Sequence, residues 1–460
     1  MKIAVINGSP KGKNSITVHT PLYLEKRHPE HSFTFFHAAQ RIRSLEKDFT
    51  DAKNILSEAD LILFAYPIYT FLAPYQLHRF IELLKENDIN LSNKYVSQIT
   101  TSKHFYDITA HKYVEENCYD LGMRYLPGFS ADMDDLQKEK GQREADCYFE
   151  KMIFDIENGI FKERLSTSPL ATSSEKEQAK SIKLCYAASI PSIPKIDEKN
   201  IVIVTNVAEN DSNLQNMIAD FEASIPHKTT IKNLRDFKFT GGCIGCLNCS
   251  TTAKCIYNDG FEDYLRNEIQ TADAIVYAFT IENHYTHSSF KCYDDRQFCN
   301  GHRTVTTGMP VGYIISGDYQ NEHNIQVLVE ARSEVGGVYL SGVATDEGDT
   351  KNSILQLSAS LDYALNHVIE KPNNFYAVGG SKIFRDLVYL MQGMMKADHK
   401  FYKEHGIYDF PHNQKGRILM MKVLGSLMNM PSVQKKMKGK ISEFIIAPYE
   451  KVIENAKRIE

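Results

Sequence analysis

Residues 59–67 read ADLILFAYP and residues 272–280 read ADAIVYAFT. Each opens on Ala-Asp and then runs through an apolar stretch too continuous to face water on either side. Such a run is the signature of a central strand in a parallel sheet covered by helices on both faces. Near-copies of it in one chain point to a repeated sheet.

Working outward, the first half offers strands at KIAVIN (2–7), HSFTFFH (31–37), ADLILFAYP (59–67), KYVSQITTS (94–102) and the weaker MRYLPGFS (123–130). The second half offers KNIVIVTN (199–206), KTTIKNLRDF (228–237), TADAIVYAFT (271–280), MPVGYIISG (309–317) and GGVYLSGVAT (336–345). Helix-compatible segments such as PYQLHRFIELLKE fill the gaps. The expected fold class is α/β: two doubly wound five-stranded parallel-sheet domains in tandem, followed by a helical C-terminal extension. The expected divisions are a first domain over 1–160, a linker over 161–198 rich in Ser, Thr and charge, a second domain over 199–372, and the extension over 373–460.

A chain of 460 residues exceeds one ordinary domain core, in keeping with that division. The formal net charge of -5 gives no electrostatic footprint for nucleic acid. No window reaches the length and apolarity of a transmembrane segment. The opening MKIAVINGSP runs straight into a strand, so no signal peptide is expected and the location expected is cytoplasmic. Nine cysteines, four of them crowded together, suit metal or redox work better than structural disulfides in such a compartment.

The loop after the first strand, INGSPKGKNSIT, opens a helix. Gly8 permits a tight turn, Ser9, Asn14, Ser15 and Thr17 supply donors, and Lys11 and Lys13 supply positive charge. The helix start adds free N–H groups and the positive end of its dipole. This suits one phosphate and lacks the patterns that bind a pyrophosphate or a nucleotide triphosphate. Loops after the third and fourth strands lie at the same sheet edge. The former brings Pro67, Ile68, Tyr69, Thr70 and Phe71; the latter brings Thr100, Thr101, Ser102 and His104. In open α/β sheets that edge is where ligands bind. Together the loops suit a flat ring bearing one phosphate, and FMN fits. Tyr69, Phe71 and His104 are candidates for shaping the ring face.

On Gly8, Ser9, Pro10, Asn14, Ser15 and Thr17, and on Pro67, Tyr69, Pro74, Leu77 and Phe80, the first 130 residues resemble the flavodoxin-like NAD(P)H-dependent FMN reductases. The resemblance implies that Gly8 to Lys11 and Asn14, Ser15, Ile16 and Thr17 hold the FMN phosphate, and that Pro67 to Phe71 line the isoalloxazine. It implies NAD(P)H as electron donor, or reduced ferredoxin, and a small molecule or redox protein as acceptor. The family's acidic–basic pair after Phe80 is replaced by ELL.

In the second half, GGCIGCLNCSTTAKC carries Cys243, Cys246, Cys249 and Cys255 at spacing C-x2-C-x2-C-x5-C. Three thiols that close suit a compact cluster, while zinc sites more often pair separated knuckles. The motif resembles that of the iron–sulfur flavoproteins, which implies a [4Fe–4S] cluster beside FMN; a loop of ordinary structure, or zinc, stands as the alternative. Cys292, Cys299 and His302 read as a loop with buried thiols, and Cys118, Cys147 and Cys185 as isolated core or surface thiols.

The halves are equipped unequally. TNVAENDSNLQ stands where the first half has NGSPKGKNSIT, so Glu209 and Asp211 replace glycine and lysine and would repel a phosphate. A fused pair dividing the labour would act as an internal pseudo-dimer, with further homo-oligomers open. Pure electron transfer, or redox sensing without turnover, is the competing reading. The Met- and Tyr-rich extension is expected to cap the two-domain core.

Overall fold

The computed structural model describes residues 1–164, 185–410, 414–428 and 430–433. Most of the expected linker, and the end of the extension from residue 434, lie outside the described residues. The chain forms two compact units, residues 1–401 and 402–460, and both sheets belong to the first. The second unit contains the helix Lys415–Met428.

The first sheet is built from β1 (Lys2–Asn7), β2 (Ser32–Phe36), β3 (Leu61–Pro67), β4 (Tyr95–Ser102), β5 (Arg124–Tyr125) and β6 (Phe129–Asp132). The second uses β7 (Ile196–Thr205), β8 (His227–Asn233), β9 (Ala274–Thr280), β10 (Pro310–Ser316) and β11 (Tyr339–Thr345). The strand orders are β2-β1-β3-β4-β5 and β8-β7-β9-β10-β11, all parallel. Counted within each half, both are the flavodoxin-like order 2-1-3-4-5. The twin runs quoted first are β3 and β9, central in each sheet; β3 is buried from Leu61 through Tyr66.

The fifth strand of the first half differs from expectation. It is cut into β5 and β6, each paired with β4. Pro127 lacks the N–H that a continuous ladder needs. At Gly128 a Cβ would come within 2.5 Å of Gln98 Cγ, so the chain crosses there only without a side chain.

Outer helices cover the far face of each sheet, while the inner faces share one apolar cluster. That cluster runs from Ile6, Phe64 and Phe80 to Val204, Phe279 and Tyr293. The halves meet through matching helices. The helix Tyr75–Glu86, after β3, packs on the helix Ser288–Arg296, after β9. The helix Asp107–Asp120, after β4, packs on the helix His323–Gly336, after β10. Like meeting like is the pattern of a two-fold interface.

The joint is polar as well as apolar. Glu82, buried in the first helix, accepts from Ser288 N at 2.6 Å and Ser288 Oγ at 2.7 Å, and so caps the partner helix. Burial raises its pKa, and the Ser288 and Arg79 bonds pull against that. At the other contact His284 Nε2 meets Asp120 Oδ2 at 3.0 Å and Nδ1 meets Glu322 Oε1 at 2.7 Å. Both ring nitrogens face carboxylates, so the ring is held as the cation. Burial disfavours that charge, but the bonds to Asp120 and Glu322 raise the pKa to about 9.

A histidine whose folded pKa lies above its unfolded value near 6.5 stabilises the fold fully below that value and loses its contribution as pH rises through 9. Denaturant unfolding at about pH 6 and about pH 9.5 is therefore expected to show His284→Gln erasing a pH-dependent stabilisation of at most about 3 kcal/mol. An equal pH dependence in variant and wild type would refute this.

Candidate functional site

A cavity of about 490 Å³ opens at the carboxyl edge of the first sheet and reaches between the halves. Its size is that of a small-molecule site. Ser9, Lys11, Ser15, Ile16 and Thr17 line it, as do Pro67 to Phe71, Thr101 and Ser102. All four clustered cysteines line it too.

The first loop braces itself. Asn7 Nδ2 donates to Gly12 O at 2.9 Å, and Asn7 Oδ1 accepts from Ser9 N at 2.9 Å. The helix Ile16–Arg27 starts without a side-chain cap and without an acidic residue in its first turn. Its N-terminal N–H groups therefore meet the cavity uncompensated, the donor set that fits a phosphate dianion. Thr17 Oγ1 and Thr101 Oγ1, 2.6 Å apart, tie this helix to the end of β4. In the second half the equivalent helix, Ser212–Ser224, is capped by Asp211, whose carboxylate accepts from Leu214 N at 3.2 Å. There the protein's own carboxylate takes the anion position.

Several sequence candidates lie elsewhere. Gly8 serves packing: a Cβ on it would come within 2.8 Å of Leu77 Cδ2. Pro10 is off the cavity, and Asn14 is exposed in the turn Gly12–Asn14. Thr100 is buried and bonds His111 Nε2 at 2.7 Å, because successive strand residues face opposite ways and Thr101 takes the cavity side. His104 turns its Nδ1 to Asp107 at 2.9 Å. The neighbouring aromatic on the cavity is Phe105, which sits 4.9 Å from Phe71.

The ring loop is a strained turn. Tyr69 and Leu72 exchange backbone bonds of 2.8 and 3.0 Å, while Thr70 and Phe71 both have positive φ, 48° and 70°. This geometry normally calls for Gly, Asn or Asp. The second half holds it in place. Lys291 and Asp295 form an ion pair with both side chains fully buried. Asp295 accepts from Thr70 Oγ1 at 2.8 Å and Tyr75 N at 2.7 Å; Lys291 donates to Tyr69 O at 3.1 Å. Burial pushes the Asp295 carboxyl up, against the pull of Lys291. Arg332 donates to Thr70 O at 3.0 Å and to Asp294 Oδ2 at 3.0 Å, with its guanidinium over Phe71. The acidic–basic pair absent after Phe80 is present in the second half as Asp295-Arg296, within SFKCYDDR (289–296). Comparing each half with the other, segment by segment, was the signal that could have found it.

Arg296 braces the cysteine loop. It is paired with Asp259 through bonds of 2.8 and 2.7 Å and donates to Gly241 O at 2.9 Å. The loop then presses on the ring loop. At Gly245, with φ +64°, a Cβ would fall 2.0 Å from Tyr69 Oη, and at Gly242 one would fall 2.5 Å from Tyr75 Cδ1. Gly245 N donates to Cys243 Sγ at 3.4 Å, and Arg303 Nη1 to Cys249 O at 3.2 Å. Burial raises the Cys243 thiol well above its ordinary value and the Cys249 thiol to about 11.

The four thiols expected to hold a [4Fe–4S] cluster all line the cavity. Among the described residues no three His, Cys, Asp or Glu side chains are arranged to hold a metal ion. The loop's backbone is tied down by Arg296 and Arg303, and its glycines are flattened against Tyr69 and Tyr75. Cys292 and Cys299 are buried, as expected.

The C-terminal helix Phe375–Leu390 closes one side of the cavity with Ile383, Phe384 and Leu387, Phe384 stacking on Phe105 at 4.3 Å. Phe298 adds a further wall, 5.9 Å from Tyr69.

Residues 1–134 match the family model of the NADPH-dependent FMN reductases. The match covers most of the first half of the chain and none of the second sheet. The FMN reductase match ends before β7, so the second half is outside it. No curated protein matches the chain. Among solved structures, the chain is similar to general stress protein 14 of Treponema denticola in complex with FMN, at 12% identity and TM-score 0.27, covering 33% of this chain and 98% of that one. It is similar also to an NAD(P)H:quinone oxidoreductase from Methanothermobacter marburgensis, at 14% identity and TM-score 0.29, covering 38% and 99%.

Asp295→Ala would strand the Lys291 charge in the joint between the halves and release the ring loop. The expected cost is about 3 to 5 kcal/mol in denaturant unfolding, with the double variant Lys291→Met, Asp295→Leu recovering part of it. A single variant as stable as wild type would show that the pair does not hold the turn.

Proposed function

We propose that the protein is an NAD(P)H-dependent FMN oxidoreductase with one flavin site per chain, in the first domain. The observation that carries this is the shared cavity, where an uncapped helix start, a rigid ring loop and the end of β4 converge. When bound, FMN supplies hydride and single-electron chemistry, accepting from a reduced nicotinamide and passing electrons on.

The chain's own residues supply position and shape. The N–H groups at Ser15 to Thr17, with Lys11, hold the phosphate. Pro67 to Phe71 present a flat, stiff wall to the ring, and Lys291, Asp295 and Arg332 keep it from relaxing. Phe105, Phe298 and Phe384 exclude water from the ring's surroundings and favour a flat, largely apolar acceptor. The second half is read as a duplicated partner that has lost its phosphate site and buttresses the first, an internal pseudo-dimer. The cysteine loop is read as part of that buttress.

Titration of apoprotein with FMN is expected to saturate at about one flavin per chain, with anaerobic bleaching by NADPH or NADH and iron far below one atom per chain. Ser15→Asp recreates at the first helix start the carboxylate present in the second, and is expected to weaken FMN binding by at least about tenfold. Failure to bind FMN would overturn the proposal. Bleaching by reduced ferredoxin alone, with stoichiometric iron, would replace it with the iron–sulfur electron carrier.

A further inference from the structure

Between Asp409 and Glu443 the sequence has no acidic residue, but it has Lys415, Arg417, Lys422 and four further lysines. The whole chain carries a formal net charge of -5, so the charge of this stretch opposes that of an otherwise acidic molecule. Such asymmetry within one chain points to an anionic partner. In the second unit the stretch supplies the helix Lys415–Met428. Leu419, Met420, Val423 and Leu427 on that helix are exposed, at 63, 57, 54 and 48%. A surface helix of a globular unit ordinarily turns its apolar stripe to a core; here these four side chains meet solvent.

Positions on a helix are separated by about 100° per residue. That spacing gathers Leu419, Met420, Val423 and Leu427 into one stripe. Lys415 and Lys422 border it on one side and Arg417 on the other, and all three are exposed. Their aliphatic stems can lie along an apolar layer while the charged heads stay in its polar margin. The helix has 14 residues. Among the described residues no helix is long and apolar enough to cross a membrane, so this one suits a surface and not a span.

We propose that the helix Lys415–Met428 docks the protein on an anionic phospholipid bilayer, lying in the headgroup plane with Leu419, Met420, Val423 and Leu427 inserted. The exposed stripe and the one-signed charge carry this together. A nucleic acid would meet the charge and leave the stripe wet. A second copy laid on the same helix would cover the stripe and set like charges together. An anionic bilayer meets both demands: acyl chains take the stripe, and phosphates take the lysines and the arginine. Each basic side chain near such a surface contributes roughly fivefold in affinity. The proposal stands apart from the flavin reading.

The full-length protein is sedimented with vesicles of phosphatidylcholine, with or without about 30% phosphatidylglycerol. Binding is expected to be at least about tenfold tighter to the anionic vesicles, and to weaken several-fold as salt rises from about 0.1 to about 0.5 M. The triple variant Lys415→Gln, Arg417→Gln, Lys422→Gln is expected to lose at least about tenfold. So is the double variant Val423→Asp, Leu427→Asp. Lys140→Gln, at an exposed lysine of the first unit, is expected to bind as wild type does. The chain has no tryptophan, so Val423→Trp supplies a single reporter. Its emission is expected to move to shorter wavelength with anionic vesicles, and further than that of Ser426→Trp. Absence of sedimentation, equal binding to both vesicle types, or an unmoved Val423→Trp emission would overturn the proposal. A loss in Lys140→Gln as large as in the triple variant would do the same. Light scattering that shows an oligomer dissolved by the double variant, with no vesicle binding by wild type, would assign the stripe to a second copy and also overturn it.

Discussion

The buried ion pair between Lys291 and Asp295 is the constraint on which the site depends. Two non-glycine residues in left-handed conformation at Thr70 and Phe71 cost on the order of 1 to 3 kcal/mol each. The turn persists because Asp295 takes the Thr70 hydroxyl and the Tyr75 N–H, Lys291 takes the Tyr69 carbonyl, and Arg332 takes the Thr70 carbonyl. None of those groups belongs to the domain that carries the turn. A pair so fully dehydrated is tolerable only when its remaining hydrogen-bonding capacity is met, and here the ring loop meets it. Turn and ion pair therefore stabilise each other, and the first half's site is completed by the second.

That dependence explains the asymmetry of the two halves. In the first half the helix start after β1 is bare and faces a cavity; in the second it is filled by Asp211. In the second half the segment ending Asp295-Arg296 is intact; in the first the corresponding positions are Glu82-Leu83, and the buried Glu82 caps the partner helix instead. Each half carries a different part of what surrounds the first half's cavity. Because the helices that meet are equivalent, a group at that position in one half reaches the ring loop of the other.

The cysteine loop belongs to the same construction. Gly242 and Gly245 lie so close to Tyr75 and Tyr69 that no side chain fits between them. Arg296 holds the loop from behind while its neighbour Asp295 holds the ring loop, so adjacent residues of one helix secure both walls of the cavity. The thiols are carried to the cavity by this packing, and burial raises the pKa of Cys243 and Cys249.

The sequence by itself determined the fold and the place of the Ser- and Lys-bearing loop at the sheet edge. Continuous apolar runs fix buried parallel strands, and a polar turn between a strand and a helix fixes where that helix starts, because both depend on contacts local in the chain. Tertiary structure alone decided the rest. Thr100 and Thr101 look alike in sequence, yet strand alternation sends one to His111 and the other to the cavity. C-x2-C-x2-C spacing allows a cluster, but whether thiols converge depends on what the loop packs against. His302 and Asp398 are far apart in the chain, as are Thr70 and Asp295. Their partnerships follow from the packing of two sheets and a C-terminal helix, a long-range constraint that no local pattern encodes.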